Sequence, residues 1–447
     1  MSKEKGLSES QERTGPPPPA GAGAPAVRPL SEQIRQLARR ELLVPAVVVF
    51  VLAVPVFFRL VNGTDPTSIL SDHPAHLGYT QNLIRGGGAP PHPLFHYTVA
   101  LLSFYDAGSL ERLQNVAVFV LALALGVRAY LTAMLLTVAK NVTALKIVGL
   151  CVALALVMPL PNWWISPVKI DPRASAFFQL DMPASIWWEL PSVRWGQTSP
   201  NIWHNPTGIF ALPFCLLVVL AGLAALERPN AANMALVGGA MVLSLLAKPN
   251  YVLAFAPCFG LAAARAWFRG IRSGTLSLAA ASGQALAAFG PAAVVLILQY
   301  RSAFGDSRSD DAGVTIAPLA AWGWLLAPKY IPFAILLSIA FPLTVTFLYW
   351  HEVIRDRCLV LAWAVFAVAL GQFVLLAETG KRGEFGNFGW GAVLANQVLF
   401  VACCAFLLRQ PASNSRNAAF IIFLFHLLSG CVCLARCLFV PSMASAF

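Results

Sequence analysis

Eleven apolar runs of about 18 residues or more recur along this chain and leave it few folds to choose from. They lie at about 43–61, 114–138, 143–162, 207–226, 231–247, 250–268, 276–298, 331–350, 358–377, 389–408 and 418–439. About 20 residues of helix cross the ~30 Å hydrocarbon layer of a bilayer. Inside that layer every backbone N–H and C=O must find a partner within the protein, which a helix supplies from its own residues. The runs therefore predict an all-α, polytopic membrane protein with about 11 transmembrane helices. Charge content agrees, because 11% charged residues is well below the roughly 25% of a soluble domain.

Charge also predicts orientation. Residues 1–42 read as a disordered Pro/Ala/Gly-rich cytosolic tail without the pattern of a cleavable signal, ending in the basic collar Arg35, Arg39 and Arg40. Residues 43–447 form a single transmembrane domain. With the N-terminus inside, every inner loop carries a cation (Lys140, Lys146, Arg228, Arg265, Arg269, Arg272, Arg355, Arg357, Arg409 and Arg416), as the positive-inside rule requires. The C-terminus then faces out. The net charge of +11 is thus a topology signal and gives no reason to expect nucleic acid as a partner. The nine cysteines fall mostly inside apolar runs, without metal-ligand spacing to histidine, and read as small buried hydrophobes.

Loop lengths point to the outer face as the working surface. Inner loops are short, whereas the outer loops include 62–113, 163–206, 299–330 and 378–388. The first outer loop opens with Ser71-Asp72-His73-Pro74-Ala75-His76. Ser71 or Asp72 can cap a helix, Pro74 suits its first turn and Gly86-Gly87-Gly88 stops it, so a helix is expected over about Pro74 to Arg85. A second, interfacial helix is expected over Leu94 to Tyr105, with His96, Tyr97 and Tyr105 toward the headgroups. These are two juxtamembrane helices between the first two spans, and Ser109 with Glu111 starts the second span. The loop 163–206 holds Trp163, Trp164, Trp187, Trp188, Trp195 and Trp203, and closes with Asn205 as a cap for a helix whose first turn holds Pro206. His204 is thereby presented at a helix N-terminus, where anions bind.

Titratable groups are sparse enough that each cluster carries weight. Asp72 with His73 and His76 can be read as a catalytic base with supporting histidines, or as a cap with interfacial histidines; a metal held by the three is a further reading. Asp171, Asp181 and Glu189 are candidate second acids, or solvated loop charges. Lys248, and the Lys381-Arg382 pair with nearby Glu384, sit at outer ends of spans, where a cation can hold the phosphate of a lipid carrier. Arg128 lies near the middle of the second span, a costly position that marks a functional candidate. Walker A, dinucleotide-binding, HExxH and GxSxG motifs are all missing from the sequence. Any driving energy would arrive in an activated, lipid-linked donor.

With these residues in view, the chain resembles the GT-C superfamily of integral-membrane glycosyltransferases. The likeness lies in span number, N-in orientation, a long first outer loop with two juxtamembrane helices, and an acid (Asp72) early in that loop. The strings Trp203–Thr207 (WHNPT), Ala247–Tyr251 (AKPNY) and Gly383–Trp390 (GEFGNFGW) are also similar to uncharacterised multipass proteins of bacterial surface-polysaccharide clusters. The superfamily often pairs two acids, whereas here His73 follows Asp72. The resemblance implies a polyprenyl-phosphate-linked sugar donor, a lipid-linked or glycan acceptor, and a bacterial inner membrane as location. It implies Asp72 as base on the acceptor, oriented by His73 and His76, with Lys248 and Lys381 or Arg382 on the donor phosphate. Trp203, His204, Asn205, Arg194, Glu384 and Arg128 complete the expected substrate-binding set, and a divalent Mg or Mn ion is a possible cofactor. Two other activities fit the same layout: a polymerase of lipid-linked repeat units, leaning on Arg173, Arg194 and Arg301, or a transporter of a lipid-linked glycan.

Overall fold

The computed structural model describes residues 40–62, 72–137, 142–160, 197–304, 313–320, 331–379 and 386–439. The tail, most of the Trp-rich loop, Arg194, Lys381, Arg382 and Glu384 lie outside the described residues.

Among the described residues, eight helices are long and apolar enough to cross a membrane. They are α1 (Arg40–Asn62), α4 (Leu110–Leu136), α6 (Pro206–Glu227), α8 (Asn250–Arg272), α9 (Leu278–Phe304), α12 (Arg357–Leu375), α13 (Gly389–Arg409) and α14 (Asn414–Phe439). Three shorter apolar helices, α5 (Ala144–Leu156), α7 (Ala231–Ala247) and α10 (Ile331–Leu348), occupy the other three predicted runs. The chain is a multi-pass membrane protein of the all-α class. The juxtamembrane helices are α2 (His73–Ile84) and α3 (Leu94–Leu102), and a single turn, α11 (Trp350–Val353), links α10 to α12.

Local chemistry sets many of the boundaries. Ser109, Thr143, Asn205, Asn230 and Asp356 each accept a backbone N–H three residues on, capping α4, α5, α6, α7 and α12. Gly86 (φ +85°) ends α2 by turning left-handed, with its N–H on Leu83 O and the next N–H on Asn82 O. α3 stops earlier than expected, because Phe104 and Tyr105 both turn left-handed just beyond it.

Helices α4, α6 and α13 form the centre. α6 and α13 are apolar all round and buried on nearly every side, as a helix with no solvent face must be. α1 packs along α4, α7 fits between α6 and α9, and α12 lies against α13 and α8. The α7–α9 approach requires Gly238, where a Cβ would stand 2.4 Å from Ala287 O. Outward faces stay apolar, with Leu261 77% and Phe347 85% exposed, which suits lipid and would not suit water. A two-stranded antiparallel ribbon, β1 (Val314–Ile316) with β2 (Leu376–Glu378), ties the loop after α9 to the end of α12.

Two predicted spans are interrupted. α5 stops at Leu156, the Val157 N–H closes its last turn on Ala153 O, and residues 158–160 run on outside any helix. α10 is broken at Ile339 (φ −123°, ψ 19°), and three backbone groups beside the break have partners from elsewhere. Pro342 has no N–H, so Ser338 O accepts from Asn396 Nδ2 instead (3.1 Å). Leu337 O takes the N–H of Leu160 (3.0 Å), and the Phe341 N–H goes to His426 Nε2 (3.3 Å). The other nitrogen of His426 meets Met158 O at 2.7 Å. A carbonyl only accepts, so His426 is the Nδ1–H tautomer and both its nitrogens are used. Gly430 lets α14 reach this seam, since a Cβ there would lie 1.7 Å from Leu156 O.

Candidate active site

The non-helical residues 197–205 enter the bundle as a mostly buried strap, held by Asn396 Nδ2 on Thr198 O (2.6 Å) and Ser338 Oγ under the Thr198 N–H (3.0 Å). Arg128 anchors its middle, donating to Asn201 Oδ1 and, at 2.6 Å, to Leu154 O at the C-terminal end of α5. Asn201 Nδ2 adds bonds to Leu154 O and Val157 O. A cation at the negative end of a helix dipole is favourably placed. Arg128 is thus turned onto the backbone and makes no ion pair among the described residues.

Beyond Asn201 the strap rises to the cluster predicted at the chain's first loop. Asp72 precedes α2, but its side chain makes no cap bond, contrary to the sequence expectation. Its backbone is in the helical region (φ −76°, ψ −4°), whereas a side-chain cap needs extended geometry at that position. The carboxylate turns across the bundle instead: Oδ2 accepts from Asn205 Nδ2 at 2.6 Å, and the Asp72 N–H donates to His204 O at 3.0 Å. Among the described residues Oδ1 makes no hydrogen bond.

Asn205 joins this carboxylate to a cation. Its Oδ1 accepts from the Gly208 N–H (2.7 Å), the Thr207 hydroxyl (2.9 Å) and Lys248 Nζ (3.1 Å). Lys248 follows α7, where its backbone is extended, and only 4% of it is exposed. Its ammonium also donates to Thr207 Oγ1 (3.3 Å) and lies 4.1 Å from the centre of the Trp390 ring. Burial pushes the Lys248 ammonium down to about 7, against a raising influence of Asp72. Trp390 also packs on His204, with ring centres 5.7 Å apart. α13 is brought close by Asn250 Nδ2, which donates to Asn387 O (2.8 Å), and Asn387 in turn bonds Glu378.

The histidines form a second layer. His73, 2% exposed, donates Nε2–H to Trp203 O (3.1 Å) and packs against Phe57. His76 Nδ1 meets His96 Nε2 at 3.0 Å in a stacked pair bordered by Tyr79 and Phe95. His96 was expected to face the headgroups; it is fully buried, because the ring completes this pair. Burial holds the imidazoles neutral, pushing His73 and His96 down to about 4 and His76 to about 2, with His96 and Lys248 adding to the effect on His76. His204 is lowered by burial too, with Asp72 opposing.

The structure therefore gathers Asp72, His73, His76, Trp203, His204, Asn205 and Lys248 at one end of the bundle, while Arg128 lies deeper, in the seam. The sequence reading missed three members: Thr207, His96 as a partner of His76, and Trp390. Thr207 and Trp390 lie inside the strings WHNPT and GEFGNFGW, but nothing local to them signals a lysine contact. The three-residue metal set of Asp72, His73 and His76 does not form, since both histidines are turned to other partners. Among the described residues no three His, Cys, Asp or Glu side chains converge on one point. Among the described residues of this cluster a Mg or Mn ion would find one carboxylate, that of Asp72. In comparisons with known proteins, no family model, curated protein or solved structure matches this chain.

Proposed function

We propose that this chain is a membrane glycosyltransferase that moves a sugar from a polyprenyl-phosphate donor to a lipid-linked or surface glycan, with Asp72 as general base. One observation carries the reading: the Asp72 carboxylate is fixed through Oδ2 by Asn205 and, among the described residues, keeps Oδ1 over. A base needs that combination of fixed direction and one uncommitted lone-pair site. Oδ1 takes the proton of an acceptor hydroxyl as the oxygen attacks the anomeric carbon. The bond from that carbon to the phosphate oxygen breaks, and polyprenyl phosphate leaves with the electron pair. A cation beside the departing phosphate favours the step, a role for Lys381 or Arg382. Trp203 and His204 build the wall of the site, and Glu384 and Arg194 remain candidate contacts to the substrates.

Topology supports an outward-facing site. If all eleven apolar helices cross, with the N-terminus inside, the end of α1 and the starts of α6, α8 and α13 share the outer side. Those are the elements that carry the cluster. The opposite ends hold Arg228, Arg269, Arg272, Arg355, Arg357, Arg409 and Arg416, the basic set expected of an inner face.

Purified protein in nanodiscs, given a polyprenyl-phosphate sugar and a lipid acceptor, tests the reading. Asp72→Asn is expected to lower transfer about 10²- to 10⁴-fold, the usual contribution of a general base, while melting with the wild type. Equal transfer by the two proteins would remove Asp72 as base. A second reading, a carrier for a lipid-linked glycan, draws on the break in α10 and the interior end of α5, since carriers use interrupted helices near the midplane. It is favoured if wild-type protein moves the glycan across vesicles without sugar transfer.

A further inference from the structure

The sequence alone makes Lys248 a natural contact for a donor phosphate. Its surroundings argue otherwise. An ammonium has three protons to donate, and here they face Asn205 Oδ1, Thr207 Oγ1 and the Trp390 ring, with 4% of the residue exposed. What the lysine touches is the amide that touches Asp72.

That amide has two orientations, and only one serves a carboxylate. As placed, Asn205 presents Oδ1 to three donors, the Gly208 N–H, the Thr207 hydroxyl and Lys248, and presents Nδ2 to Asp72 Oδ2. Turned by 180°, it would set its NH2 group against those donors and its carbonyl against the carboxylate. A cap asparagine alone needs just the Gly208 bond. The buried cation adds the charge that locks the choice and strengthens the amide as a donor on its far side.

We infer that Lys248 is a positioning residue: through Asn205 it holds the amide so that Nδ2 faces Asp72, and it does not contact the donor. Its effect on catalysis rests on the base role proposed above, whereas the coupling itself can be read without any activity.

The first measurement is of the carboxylate. Full-length protein in nanodiscs is treated with a carbodiimide and glycine ethyl ester, and modification at position 72 is followed by mass spectrometry. Lys248→Met is expected to raise the labelling rate of Asp72 at least threefold, and Thr207→Val, which removes the hydroxyl shared by lysine and amide, to raise it less. Rates equal to wild type in both folded variants would overturn the inference. Thr207→Val keeps the test decisive if Lys248→Met does not fold. The second measurement is steady-state transfer. Lys248→Met is expected to lower kcat about 30-fold with the KM for donor within twofold, and to cost nothing further in an Asp72→Asn background. A raised KM at constant kcat, or losses that multiply, would make Lys248 a donor contact and refute the positioning role. If the wild type transfers no sugar, the proposed function falls, and the labelling still decides the coupling.

Discussion

Two buried polar clusters occupy this bundle, and they spend their hydrogen bonds differently. Around Arg128 and His426 the side chains serve the backbone: Leu154 O, Met158 O and the Phe341 N–H are groups that a broken helix left behind. Around Asp72 and Lys248 the partners are mostly other side chains, and among the described residues one carboxylate oxygen remains over. The first pattern repairs a cost that hydrocarbon imposes on irregular backbone. The second also caps α6 through the Gly208 N–H, but most of its bonds join side chain to side chain. It sets a carboxylate and an ammonium on opposite sides of one amide, the arrangement on which the proposed function draws. A titratable group deep in a membrane protein is therefore best judged by what it bonds, and Arg128 bonds Asn201 and the Leu154 carbonyl.

The contrast can be broken at its most crowded point first. Gly430→Ala places a Cβ where Leu156 O already lies at 1.7 Å, and backbone cannot step aside as a side chain can. We expect a loss of about 3 kcal/mol or more, read as failure to give a monodisperse folded peak or a large drop in melting temperature. Wild-type melting would show that the seam tolerates rearrangement and is not the rigid member of the pair. Arg128→Leu should follow, costing about 2–4 kcal/mol for the abandoned Asn201 and Leu154 oxygens, with the folded fraction retaining its specific transfer activity. Lost activity at unchanged stability would move Arg128 into the site.

The last effect needs no substitution and concerns protons. His73, His76 and His96 are held near 4, 2 and 4 when folded, below the 6.5 of an exposed histidine. The unfolded chain therefore binds protons that the folded one refuses, and stability falls as pH drops from 6.5 toward 4. By pH 5 the penalty reaches about 2 kcal/mol per histidine at most. Melting temperatures between pH 7.5 and 5 should decline, and His96→Phe should flatten the slope. A flat wild-type profile would mean that these rings are not buried neutral.

Much of the scaffold was legible because its causes are local. Apolar length placed the helices, and Asn205-Pro206, Ser109 and Gly86 marked helix ends by chemistry confined to one turn. Scarcity of charge singled out Asp72, Lys248 and Arg128. Their partners were not legible. Asn205 lies 133 positions from Asp72 and 43 from Lys248, and no periodicity couples such distances. The break at Ile339 was hidden for another reason: Pro342 alone is tolerated in many membrane helices, and here the deciding partners, His426 and Leu160, come from distant segments. The β1–β2 ribbon escaped notice because three-residue strands leave no alternating pattern to read.

The residue after Asn205 gives the site an unplanned form of durability. Asparagine side chains age when the following backbone nitrogen attacks the amide, closing a ring that reopens as an acid. Pro206 has no N–H to make that attack. The bridging amide is thus shielded from the commonest route by which it would become a carboxylate 2.6 Å from Asp72, a spontaneous lesion that would set two negative groups against each other.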